Sequence, residues 1–108
     1  MPDAQPESEV FNKRIKSRVE LSAPGKLSEP FAGNHGVELL DISASGARIA
    51  TFRNFSVDQT LYLTIDKLQS LKCVVRWVKH GEIGVAFDRD LYPAVVEHIA
   101  AAHRARTR

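Results

Sequence analysis

The chain has one cysteine among 108 residues, few aromatics at 7%, and no long uninterrupted apolar run. A lone thiol cannot close an internal disulfide or assemble a zinc site, and the apolar flanks of Cys73 point to a buried, inert side chain. Residues 1–10 lack the charged start and apolar core of a signal peptide, and no stretch has the length of a membrane span. The expectation is a cytosolic protein. Net charge is only +2, too mild for a general nucleic-acid binder, so the placement of charge matters more than its sum. No histidine pair has metal-site spacing. Ser43 and Ser45 lack a nucleophile elbow, and no Walker or Rossmann glycine loop occurs. The four histidines read as surface residues. These absences argue against an enzyme, and neither a cofactor nor a metal is expected.

What is present is a single domain of ordinary composition, 44% hydrophobic and 26% charged. Residues 1–11 form an acidic, disorder-prone tail. The sign of charge then reverses through Lys13, Arg14, Lys16 and Arg18. From Val19 onward, apolar residues alternate with polar ones. Pro24-Gly25 interrupts or bulges the first strand, and Gly33 to Gly36 reads as a loop. Strands are expected at Val37–Leu40, Ala47–Phe52, Leu61–Ile65, Leu71–Val78 and Ile83–Phe87, with turns at Ser45-Gly46 and His80-Gly81. The alternation of Leu71, Cys73, Val75 and Trp77 puts the indole in the core. The period changes after Asp90, a candidate N-cap. Pro93 fits a first helical turn, and Val95, Val96, Ile99 and Ala102 share one face. The domain runs over 12–104, and 105–108 are a basic tail.

Two short motifs carry chemistry. Arg14-Ile15-Lys16-Ser17-Arg18 is an R-x-x-x-R pair, its arginines about 13 Å apart if extended. Guanidinium forks bond phosphate oxygens bidentately, pair with guanine and stack on bases. Asp41-Ile42-Ser43-Ala44-Ser45-Gly46 is a D-x-S-x-x-G between two strands. Asp41 can accept from the N–H edge of a guanine, Ser43 can donate or accept, and Gly46 permits a positive φ. The same residues suit a plain turn, and that alternative stands beside the first.

In this order and on this background, the two motifs resemble those of the PilZ family. Arg18-Val19-Glu20-Leu21, Leu40 to Ile49, Val75-Arg76-Trp77-Val78 and Ile83 to Phe87 resemble its framing strands, and the likeness covers residues 12–102. The resemblance implies a mainly β protein, a six-stranded antiparallel β-barrel with one C-terminal α-helix. It also implies a receptor for the bacterial second messenger cyclic di-GMP. On that basis Arg14 and Arg18 clamp phosphates and guanine, and Asp41, Ser43 and Gly46 line the guanine pocket. Ligand would order the N-terminal segment and signal to a protein partner, with no DNA or membrane involved. The alternatives are a PilZ-fold adaptor that binds no cyclic di-GMP and a small barrel for single-stranded nucleic acid. The latter needs exposed aromatics in a basic groove.

Overall fold

The computed structural model describes residues 18–66 and 70–104. Arg14, the acidic tail and the residues after Arg104 lie outside them. Six strands, β1 (Val19–Glu29), β2 (Gly33–Ile42), β3 (Gly46–Ala50), β4 (Thr60–Ile65), β5 (Leu71–Lys79) and β6 (Glu82–Phe87), precede helix α1 (Pro93–His103). The strands close into an antiparallel barrel in the order β1-β2-β3-β6-β5-β4, with β4 returning to β1 through Gly25↔Ile65 to Ser28↔Tyr62. Closure leaves no long sheet edge for another chain to extend. The expected architecture is the one observed.

Alternation explains the interior. Leu27, Leu39, Ile49, Leu61, Leu63, Ile65, Cys73, Val75 and Ile83 point inward and are sealed from solvent. Each large aliphatic side chain so buried stabilises the barrel by roughly 1.5–3 kcal/mol. Helix α1 covers the apolar mouth next to β1, burying Val96, Ile99 and Ala100. Ala102 is exposed, so the buried stripe keeps Val96 and Ile99 but runs through Ala100 in place of Ala102. Asp90 is not the cap: Tyr92 occupies that position without a side-chain hydrogen bond, and Pro93 follows it. The far end of α1 is fixed by His103, whose Nε2 lies 2.7 Å from Asp66 Oδ2, and by a bridge between Arg104 and Leu21.

Several local expectations give way to the ladder. Pro24-Gly25 does not break β1. The irregularity falls between Glu20 and Ala23, where Leu21 and Ser22 oppose the single residue Leu40. Gly33 to Gly36 is strand, paired through Glu29↔Gly33 to Lys26↔Gly36, and the turn sits at Pro30-Phe31-Ala32. Strand β3 ends at Ala50, and Phe52 lies beyond it in solvent. The turns at Ser45-Gly46 and His80-Gly81 are as expected, the second with Gly81 at φ 71°.

The loop from β3 to β4 is tied down by one carboxylate. Glu29 accepts from Arg53 Nε at 2.6 Å and Gln59 Nε2 at 2.8 Å, and His35 Nε2 lies 2.7 Å away. His35 also meets the buried Phe55 ring edge-on at 6.0 Å. His35 and His103 are therefore half-buried and engaged, not free surface groups. Burial works against ionisation of Glu29, but the hydrogen bonds from Arg53, His35 and Gln59 outweigh it. They hold its carboxyl below the usual carboxylate range. Among the described residues no helix is long and apolar enough to cross a membrane.

Candidate functional site

The site begins with a bend. Ile42 ends β2 and Gly46 starts β3, and the Ser43 amide donates to the Gly46 carbonyl at 2.8 Å. The Ser43 hydroxyl is buried and accepts from the amides of Ser45 at 3.3 Å and Gly46 at 3.2 Å. The bend is pinned from outside by Phe87 N donating to Ser45 O and Leu91 N to Ala44 O, both at 2.8 Å. Glycine is required at position 46 for space. A Cβ there would overlap the carbonyl oxygen of Val85 on β6. The left-handed glycines among the described residues are Gly33 and Gly81, so the positive φ expected at Gly46 is not its reason. Ser43 and Gly46 thus fix the path of the chain directly after Asp41.

Asp41 is aimed by a bulge. Leu39 pairs with Ile49 and Asp41 with Arg48, which leaves Leu40 unmatched. One extra residue reverses the side to which the following side chains point. Leu39 therefore faces the core, while Asp41 shares the outer face with its pairing partners. A second bulge does the same on β5. Val75 pairs with Val85 and Trp77 with Gly84, leaving Arg76 extra. Trp77 is consequently half-buried on the outside and is not a core residue, as plain alternation had implied. Its indole lies across Gly84, where a Cβ would overlap the ring nitrogen.

These corrections assemble a continuous row. Glu20, Asp41, Arg48, Gly84 and Trp77 are successive pairing partners across β1, β2, β3, β6 and β5. The Asp41 carboxylate is 8% exposed and receives two guanidinium groups. Arg18 Nη1 donates to Oδ1 and Arg48 Nε to Oδ2, each at 2.9 Å. Arg48 Nη1 reaches Glu82 Oε1 at 3.1 Å. The hydrogen bonds to Asp41 and then Glu82 raise the Arg48 pKa further above its ordinary value, against the opposing effect of burial. At the other end of the row, Lys79 Nζ sits 5.6 Å from the Trp77 ring centroid.

Of the residues singled out by sequence, Arg18, Asp41, Ser43 and Gly46 come together, and Arg14 lies outside the described residues. Arg48 and Trp77 belong to the same face. Sequence reasoning named neither for the site, and alternation had put Trp77 in the core. The signal that finds them is the bulge, which is a property of the pairing and not of either strand alone. Chemically, the face offers a fixed carboxylate acceptor, a guanidinium on Arg18 that is 55% exposed, and an indole with a cation beside it. Such a set suits an anion that carries flat, hydrogen-bonding rings.

A search among curated proteins gives no match to this sequence. A family model described as PilZ domain matches residues 12–102, a span that includes both motifs, all six strands and nearly all of α1. The chain belongs to the PilZ domain family.

Proposed function

We propose that this chain is a receptor for cyclic di-GMP and performs no chemical step. The observation that carries the reading is the Arg18–Asp41–Arg48 cluster on the outer face of the barrel. Membership of the PilZ family supports the same ligand. Cyclic di-GMP presents two phosphate charges and two guanine rings. Arg18, more than half exposed at the edge of the cluster, leaves Asp41 to fork a phosphate or cover a guanine. The vacated Asp41 oxygen accepts the guanine N1–H and N2–H₂ edge. Arg48 stays behind to keep the carboxylate in place. The bend of Ser43 and Gly46 forms the rim of this guanine pocket.

Arg14 supplies the second grip. With both arginines engaged, the N-terminal segment is drawn onto the barrel, and the surface so formed is what a protein partner reads. The test is isothermal titration with cyclic di-GMP, cyclic di-AMP and GTP. Heat is expected with the first and far weaker binding with the others. Arg14→Ala and Arg18→Ala should each abolish tight binding while the circular dichroism spectrum stays unchanged. Wild-type affinity in the double variant removes the assigned roles. Absence of heat from the unsubstituted protein favours an adaptor that binds no nucleotide.

A further inference from the structure

A second row of outward-facing residues runs beside the one through Asp41. Pro24, Glu38, Ala50, Glu82 and Lys79 are successive pairing partners across β1, β2, β3, β6 and β5. The ground next to its centre is apolar and open. Ala50 borders a groove of about 460 Å³ together with Gly36, Phe52 and Gly81, and a Cβ built on Gly36 or Gly81 meets no atom within 4 Å. Phe52 is 105% exposed, so its ring finds no cover in the described fold. A bare phenylalanine beside bare glycine backbone is a surface that gains by being covered.

The charges around that centre identify its cover. Glu38 and Lys79 are both exposed and stand on either side of the Ala50–Glu82 pair, each one strand out from it. They are three strand spacings apart, about 14 Å, and equally far from the line between β3 and β6. Glu38 accepts from the Ser22 hydroxyl and Lys79 lies over the Trp77 ring, but neither has an ionic partner among the described residues. The neighbouring charges are already engaged, Glu82 by Arg48 and Arg53 by Glu29. Lys26 stands a strand farther out on β1, where the closed barrel curves away. A partner carrying one sign of charge would be attracted at one end of the row and repelled at the other. Opposite charges set evenly about an apolar midline make a surface complementary to itself, which is what a two-fold contact requires.

We propose that this face joins two copies of the chain about a two-fold axis that runs along the strands, between β3 and β6. Glu38 of each copy meets Lys79 of the other, and Glu82, neutralised by Arg48, faces the small Ala50 of the other. Phe52 of each copy covers the Gly81 turn of the other and lies beside its own counterpart. The contact needs no nucleotide, and it stands independently of the receptor reading.

The test is sedimentation equilibrium on the full chain, without nucleotide, at low salt and from micromolar to millimolar protein. A reversible monomer–dimer equilibrium is expected. Phe52→Ser should weaken it by at least about a hundredfold, about tenfold for each of the two rings uncovered. Glu38→Lys and Lys79→Glu each reverse the sign at one end of the row, so either variant alone should sediment as a monomer. Mixed in equal amounts, the two variants should associate again, because both contacts between unlike copies then join a lysine to a glutamate. A folding defect in either variant cannot produce that rescue. A chain that stays monomeric throughout the range overturns the proposal. So does a dimer that Phe52→Ser leaves unchanged, or a mixture of the two charge variants that remains monomeric.

Discussion

Arg18 and Arg48 bond the same carboxylate at the same distance, yet their removal should have different consequences. Arg18 is 55% exposed, so its ion pair competes with water and salt and contributes about 0.2–1 kcal/mol to stability. Arg48 is 33% exposed and joins Asp41 to Glu82. Its loss leaves a nearly buried carboxylate held only by a solvent-exposed partner, at a cost of about 1.5–3 kcal/mol. With a urea slope of about 1–1.5 kcal/mol/M for a chain of this size, Arg48→Ala should lower the unfolding midpoint by at least about 1 M. Arg18→Ala should lower it by well under that. The single tryptophan, Trp77, reports both transitions by its emission. Nucleotide titration should rank the variants differently, with Arg18→Ala eliminating tight binding at nearly unchanged stability. Equal midpoint shifts would refute the division of labour, as would a stability loss confined to Arg18→Ala.

Gly84→Ala should push the indole off the outer face, at a cost of about 1–3 kcal/mol if the ring cannot swing aside. The measurement is a red shift of Trp77 emission in the folded state, and an unchanged spectrum contradicts the packing of Trp77 on Gly84. Cys73, whose thiol burial pushes up to about 12, should stay unmodified by thiol reagents at pH 8 until the protein unfolds, so modification kinetics should follow urea concentration. The Glu29 carboxyl is held below its ordinary value, so its contribution is present above the unfolded pKa near 4.5 and is lost as pH falls through the lower folded value. Stability measured from pH 6 down to 3 should therefore decline less steeply in Glu29→Gln than in the unsubstituted chain.

The legible part of the fold is the part governed by period-two alternation and glycine turns. Leu61, Leu63 and Ile65, and likewise Ile83, Val85 and Phe87, face inward as their spacing states, and Gly81 sits in its turn. The two motifs brought Asp41 and Arg18 forward from sequence, and they do meet. What alternation could not deliver was the phase across a bulge. Trp77 follows Val75 at an even spacing and yet lies on the other face, because Arg76 has no partner on β6. Glycine at 33 and 36 suggested a loop where the ladder with β1 imposes strand. At Gly46 the residue type was read correctly and its reason was not. The constraint comes from Val85, distant in sequence and adjacent in space.

The unmatched residues at Leu40 and Arg76 make this barrel sensitive to length more than to composition. One residue inserted between Gly84 and Val85 would give Arg76 a partner, restore strict parity to β5 and turn the indole into the interior, and one inserted between Arg48 and Ile49 would carry the aspartate the same way. The recognition surface would then be lost with every one of its side chains still encoded. A sequence of this kind stores its binding face partly as a count of residues between landmarks.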